Sequence, residues 1–249
     1  MLKVRFKGIG QKIAAFFIVI LLIVCAGMGI VSYTSSSNAV ENEAKRALLD
    51  LSEEGAAKMQ SDVERDLEIL KVIANLEVIS SPEVEMDEKL SIIQKERQRS
   101  NFRELGIIDN HGNMILSSGD RVNVGDREYF QKAMSGEGNT SDPLINRVDN
   151  TMLIVSAVPI YRGNSIEGAI LGDRDAAFLS NYTGEMGFGE KGYAFIMNTQ
   201  GLPIAHNDRN FIYDETDFRK MAQTDPDYEG LARVIDKMVA GEHGVEAYY

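Results

Sequence analysis

Arg127, Glu128, Tyr129 and Phe130 form the segment whose side chains best combine to do chemistry. A guanidinium holds a carboxylate through paired hydrogen bonds, and neighbouring aromatic rings shield that pair and shape a pocket around it. Asp173 ends an apolar run, where its carboxylate can receive a ligand ammonium group. Each residue also has an ordinary reading: Arg127 as a solvated or structural cation, the rings as core or pocket wall, Asp173 as a strand-end or cap carboxylate. Covalent chemistry has fewer candidates. There is no HExxH, glycine-rich phosphate loop or GxSxG turn, and His111, His206 and His243 lack zinc-ligand spacing. All three histidines read as surface or turn residues. The glycines from Gly187 to Gly192 lack the strand-to-helix context of a nucleotide loop and read as a turn. The expectation is a noncatalytic binding protein with no cofactor and no metal.

These residues must be held by an α+β framework. Phe102–Asp109, the turn 110–113 and Met114–Ser118 predict a hairpin, and Asp126–Met134 a short helix bearing Arg127. Thr151–Tyr161 and Ser165–Asp173 read as two strands joined at Arg162-Gly163-Asn164. Upstream, Asn38 is a plausible cap for a long helix whose apolar residues recur every three or four positions through Leu67, Leu70 and Ala74. Ser81-Pro82 marks a break, and a further helical piece ends near Arg99. The apolar stripe packs on its own domain, or also on a second copy in a dimer.

The pattern then begins again. Setting Gly201 on Gly112, an offset of 89 residues, aligns Asp109-Asn110-His111-Gly112 with Asn198-Thr199-Gln200-Gly201 and Ile115 with Ile204. This suggests two related modules. Pro203 suits an edge or bulged strand, because it has no N–H for the ladder. Tyr228–Ala240 predicts a helix with Leu231, Ile235 and Met238 on one side and Gly241 as its stop. Val245–Tyr249 falls where another strand should start, so the second module reads as unfinished and the chain as an incomplete receptor.

The length of 249 residues with 44% hydrophobic and 26% charged residues excludes wholesale disorder, and glycine has no period of three. The formal net charge of −12 hides a division: Lys3, Arg5, Lys7 and Lys12 precede the first acidic residue, Glu41, which leaves −16 on the rest. A basic nucleic-acid surface is therefore not expected on the main body. Residues 13–31 carry no charge and are long enough to cross a ~30 Å hydrocarbon core. The basic residues before them favour a cytoplasmic N-terminus and an exported body. The alternative, a cleaved signal, lacks a small-x-small cleavage pattern. Cys25, the sole cysteine, lies within the span, so no disulfide within the chain is available.

The order of elements, together with FRELGIIDNHGNMILSS, VGDREYFQKAMSG, VPIYRGNSIEGAILGDRDAAFLS and GFGEKGYAFIMNTQGLPIAHND, resembles the double Cache ectodomain of bacterial methyl-accepting chemotaxis proteins. Related ectodomains feed histidine kinases and diguanylate cyclases. The resemblance implies a basic cytoplasmic head (1–12), a membrane helix (13–31) and a helical stalk (32–101). It further implies a membrane-distal PAS-like ligand module (102–185) and a membrane-proximal PAS-like module (186–249). It also implies a homodimer through the long helix, an extracellular small-molecule ligand, a bacterial inner-membrane location, and cytoplasmic signalling partners only in a longer chain. The amino-acid-binding branch sets an arginine and aromatic rings against the ligand carboxylate and acids against its ammonium. The matching positions are Arg127, Tyr129, Phe130 and Asp173, with Tyr129 where that branch favours tryptophan. Leu144 and Asn146 stand where it favours a tyrosine and an aspartate, which removes a hydroxyl and a negative charge from a site that includes Asn146. A carboxylate held by Arg127 without a strong demand for an amine is an equal version of this reading.

Overall fold

The computed structural model describes residues 9–187, 189 and 192–247. Most of the basic head, half of the turn Gly187–Gly192 and the end of the expected last strand lie outside the described residues. The chain divides into two compact units, residues 1–50 and 51–249. Helix α1, Ile9–Ala74, contributes to both. In the first unit, Phe16, Phe17, Leu21, Leu22 and Ile23 are all exposed, so the helix is apolar around its whole circumference. That is the composition a lipid-facing span needs. α1 is the one helix among the described residues long and apolar enough to cross a membrane. Asn38 does not start a helix, contrary to the expectation. α1 passes through it because residues 32–37, though rich in serine, contain neither proline nor glycine and so only weaken the helix.

In the second unit α1 ends at Ala74, before the expected break. Two short segments follow, α2 at Glu77–Ser80 and α3 at Met86–Arg99, so Ser81-Pro82 separates these two helices. The strands are β1 Glu104–Asp109, β2 Asn113–Leu116 and β3 Arg121–Asn123. After helix α4, Glu128–Met134, come β4 Asn139–Thr140, β5 Leu144–Ile145, β6 Met152–Arg162 and β7 Ser165–Asp175. They form an antiparallel sheet in the order β3-β2-β1-β7-β6-β4, with β5 also on β6.

The period of two along each strand assigns the side chains to two cores. Leu105, Ile107, Ile115, Val158, Ile160 and Ile170 meet Leu70 and Ile73 of α1, Ile79 of α2 and Ile93 of α3. On the opposite face Ile108, Met114, Leu116, Leu153, Val155 and Leu171 meet Tyr129, Phe130 and Ala133 of α4. The hairpins, α4 and the β6–β7 pair therefore form where the sequence predicts them.

Beyond β7 lie α5 (Phe178–Glu185), the paired strands β8 (Ile196–Met197) and β9 (Pro203–Ala205), α6 (Asn210–Tyr213), α7 (Phe218–Met221) and α8 (Glu229–Val239). The two aligned turns share their hydrogen bonding. Asp109 Oδ1 accepts from the His111 and Asn113 amides, both at 2.9 Å, and Asn198 Oδ1 accepts from those of Gln200 and Leu202 at 3.0 and 2.9 Å. Gly112 and Gly201 adopt φ of +81° and +78°, a conformation that explains glycine at both positions. His206 departs from its expected surface role. It is buried, with the rings of Phe211 and Tyr193 at 4.8 and 5.3 Å, and its Nδ1 accepts the Asp208 amide at 2.9 Å. An edge-on aromatic cluster and one backbone donor satisfy an imidazole in a core.

Gly168 on β7 lies opposite Asp109, and a side chain there would overlap the Ile108 carbonyl oxygen. Backbone within a ladder yields less readily than a side-chain tip. Gly168→Ala is therefore expected to cost about 1–3 kcal/mol, measured as a lower denaturation midpoint by circular dichroism.

Candidate functional site

The face of the sheet that meets α4 also carries Asp173, since residues 169, 171 and 173 of β7 point the same way. Between this face, the start of α4 and the loop after β5 lies a cavity lined by Arg127, Tyr129, Asn146, Arg147 and Asp173. Its walls are apolar: Met114, Leu116, Leu144, Leu153, Val155 and Leu171. The sequence-predicted residues Arg127, Tyr129, Asn146 and Asp173 are thus brought together. Phe130 is not among the lining residues; it is buried in the core beneath α4.

Arg127 is the residue immediately before α4, with extended backbone (φ −78°, ψ 134°), and its side chain reaches across the cavity to β5. Its Nη2 donates to the Ile145 carbonyl at 3.0 Å, and it makes no ion pair among the described residues. Tyr129 is buried, and that burial pushes its phenol up to about 12. Asn146 is engaged within its own loop: its amide donates to Asp149 at 2.7 Å and its oxygen accepts the Val148 amide at 3.1 Å.

Asp173 is not available as a bare carboxylate. Arg103 Nε and Nη2 donate to its two oxygens at 3.2 and 3.1 Å, and the Glu104 amide donates to Oδ1 at 2.9 Å. Burial pushes the Asp173 carboxyl up from the usual aspartate value against the pull of these donors; Arg103 is also pushed up, its desolvation outweighed by the hydrogen bonds to Asp173 and Asp149. Arg103 also donates through Nη1 to Asp149 at 2.6 Å, tying β7 to the loop. The loop's other tether is Arg147, paired with Asp126 at 2.5 Å and donating to the Asn123 carbonyl at 2.9 Å.

Arg103, Arg147 and Asp149 escaped the sequence reading. Polar residues flanking strands have no periodicity, and the pair between Arg103 and Asp173 depends on β1 lying beside β7 in one register.

The enclosed space measures about 20 Å³, enough for one water. The site is closed on itself, so a ligand must lift the loop or displace side chains to enter. A larger cavity of about 650 Å³ lies where α2 and α3 meet the β1–β2 hairpin. There the Lys89 ammonium already caps the Ile79 carbonyl at 3.0 Å. Both cations thus rest on a backbone carbonyl. The smaller cavity is the better candidate because its cation is a guanidinium, whose planar fork matches a carboxylate, beside Tyr129 at the head of an apolar interior.

The Arg147 guanidinium holds the Asp126 carboxyl down to about 2, from an ordinary 3.8. A lowered folded-state value means that this tether contributes stability above about 3.8 and loses it as pH falls through about 2. An NMR titration of Asp126 should give a midpoint near 2, and Arg147→Ala should return it toward 3.8.

The Cache domain family model matches residues 36–248. The ligand-binding domain of the Pseudomonas fluorescens chemoreceptor CtaA, in complex with L-leucine, superposes with a TM-score of 0.64 at 19% identity, covering 76% of this chain and 80% of that one. The ligand-binding domain of the Pseudomonas aeruginosa amino acid chemoreceptor PctC, in complex with GABA, gives 0.58 at 14% identity, covering 68% and 79%. No curated protein matches the chain.

Proposed function

The chain belongs to the Cache-domain family, and from that premise we propose that it is the sensory part of a membrane receptor that binds a small extracellular carboxylate at Arg127. The observation that carries this reading is a guanidinium whose partner at the head of an apolar cavity is a backbone carbonyl, not an acid. A ligand carboxylate is the stronger acceptor, offering two charged oxygens to a planar fork. It would replace the Ile145 carbonyl and so release β5, which pairs with β6 at only Leu144 and Ile145. Binding is noncovalent, and no step of catalysis is involved.

The span within α1 anchors the receptor, with the N-terminus cytoplasmic and residues beyond the span exported. The recurring Asp109 and Asn198 turns support two related PAS-like modules, with the Arg127 site in the first. The apolar stripe of α1 supports a homodimer. A ligand shifts such a receptor only if it binds two states unequally, and a small displacement between sheet and α1 is the change proposed here. The output is a cytoplasmic kinase pathway of the chemotaxis type.

The test uses the full chain in lipid nanodiscs, screened by thermal shift against small organic acids, amines and amino acids, with calorimetry on each hit. Arg127→Ala should weaken binding of a carboxylate hit by about 1.5–3 kcal/mol, the cost of a hydrogen bond to a charged group. Equal stabilisation of both proteins by the same ligand would sink the proposal.

A further inference from the structure

We infer that Arg103 determines ligand specificity by acting as an internal cation on Asp173, so that the cavity takes short aliphatic carboxylates that lack an α-ammonium group. The inference rests on the Arg127 reading and deepens it. Both oxygens of Asp173 are taken: Oδ1 accepts from Arg103 Nε at 3.2 Å and the Glu104 amide at 2.9 Å, and Oδ2 accepts from Arg103 Nη2 at 3.1 Å. Asp173 is 3% exposed, so little water reaches it to support a second cation. Arg103 is itself pinned from the other side by Asp149 at 2.6 Å. A guanidinium does not shed its charge, so it cannot retreat by deprotonation as a lysine in a similar place can.

A ligand ammonium brought to Asp173 would therefore have to compete with Arg103 and the Glu104 amide for a carboxylate that already accepts three hydrogen bonds. An ammonium taken out of water without a carboxylate of its own incurs a desolvation cost that nothing in the site offsets. Asn146 offers no compensating charge, and its amide and carbonyl are already bonded within the loop. At the other end Arg127 remains open to an anion. Between them the walls are Leu144, Leu153, Val155 and Leu171, so the space that opens when the loop lifts is apolar, which suits a short hydrocarbon chain.

The experiment compares isovalerate with L-valine, which differ by the α-ammonium, using calorimetry on the full chain in nanodiscs. Wild type should bind isovalerate roughly tenfold or more tightly than L-valine, because the ammonium of L-valine is desolvated without a carboxylate of its own. Arg103→Gln frees Asp173 and should move the ratio of the two affinities at least about tenfold toward L-valine. Arg103→Lys keeps a cation and should keep the wild-type preference. A merely structural role for Arg103 would weaken both ligands together and leave their ratio unmoved, which overturns the inference.

The wild-type comparison decides even if Arg103→Gln does not fold, because L-valine binding wild type as tightly as isovalerate also overturns it. Loss of both ligands in Arg127→Ala, alongside that result, leaves the carboxylate site standing and removes only the role of Arg103. Undiminished binding in Arg127→Ala, or no binding of either ligand to wild type at millimolar concentration, removes both.

Discussion

The fold hangs on the alternation of two neighbouring residues in β7. Strand geometry sends Asp173 to one face of the sheet and Arg174 to the other. Asp173 lines the cavity and takes Arg103; Arg174 reaches α1, where its Nη2 meets the buried Asp66 at 2.5 Å. The guanidinium carbon of Arg174 also lies 5.5 Å from the ring centres of both Phe102 and Phe178. Its Nε is buried without an acceptor, consistent with an aromatic sandwich that supplies ring faces in place of oxygens. Removing one partner from a buried pair of this kind costs about 3–5 kcal/mol. The residue that lines the cavity and the residue that holds the helix are thus joined by one peptide bond, and neither can shift along the strand without the other.

The opposite side of the cavity is built to yield. β6 and β7 share a long ladder, whereas β5 contributes two residues, and the loop beyond it is held by side-chain charges. Arg103 to Asp149 and Arg147 to Asp126 are ion pairs at or near the surface. Such exposed pairs contribute little, because water and salt screen them. Opening the loop thus breaks weak contacts, while moving β7 disturbs a buried pair and two cores. A ligand that entered by lifting the loop would meet little resistance there and would transmit force only through what it grips on the sheet. On the reading proposed above, this division between a loose wall and a stiff wall would let a small molecule act on α1 through the sheet.

Much of this framework was legible in the sequence, for reasons that differ from element to element. The β1–β2 hairpin and the β6–β7 pair announce themselves as apolar runs closed by turn residues, and Gly112 and Gly201 mark turns that need positive φ. Arg127 drew notice because its aromatic neighbours follow within one short helix. What the sequence could not supply was pairing at a distance. Arg103 meets Asp173 because β1 and β7 are neighbours, and Arg174 meets Asp66 because α1 crosses the sheet at that height; neither contact leaves a local pattern. The Asn38 cap failed for a related reason. A cap residue is a permission to start a helix, and the apolar helix arriving from upstream had already formed its hydrogen bonds.

Two guanidinia, Arg127 and Arg147, line the cavity and a third, Arg103, holds its acid Asp173, and their assignments follow from which acids are already engaged. Asp173 and Asp149 hold Arg103, and Asp126 holds Arg147. Glu128, the remaining acid beside Arg127, pairs with Lys132 one turn along α4 at 2.9 Å. Each of these carboxylates is paired with another cation, and among the described residues Arg127 is left with the Ile145 carbonyl. A neutral carbonyl satisfies the geometry of one N–H while leaving most of the charge uncompensated, so the closed site is stable but incomplete. The same accounting explains why changing the partners of Arg103 or Arg147 should alter ligand preference without touching Arg127. Freeing any one of these acids gives Arg127, or an incoming ammonium, a competitor or a host that the present arrangement withholds.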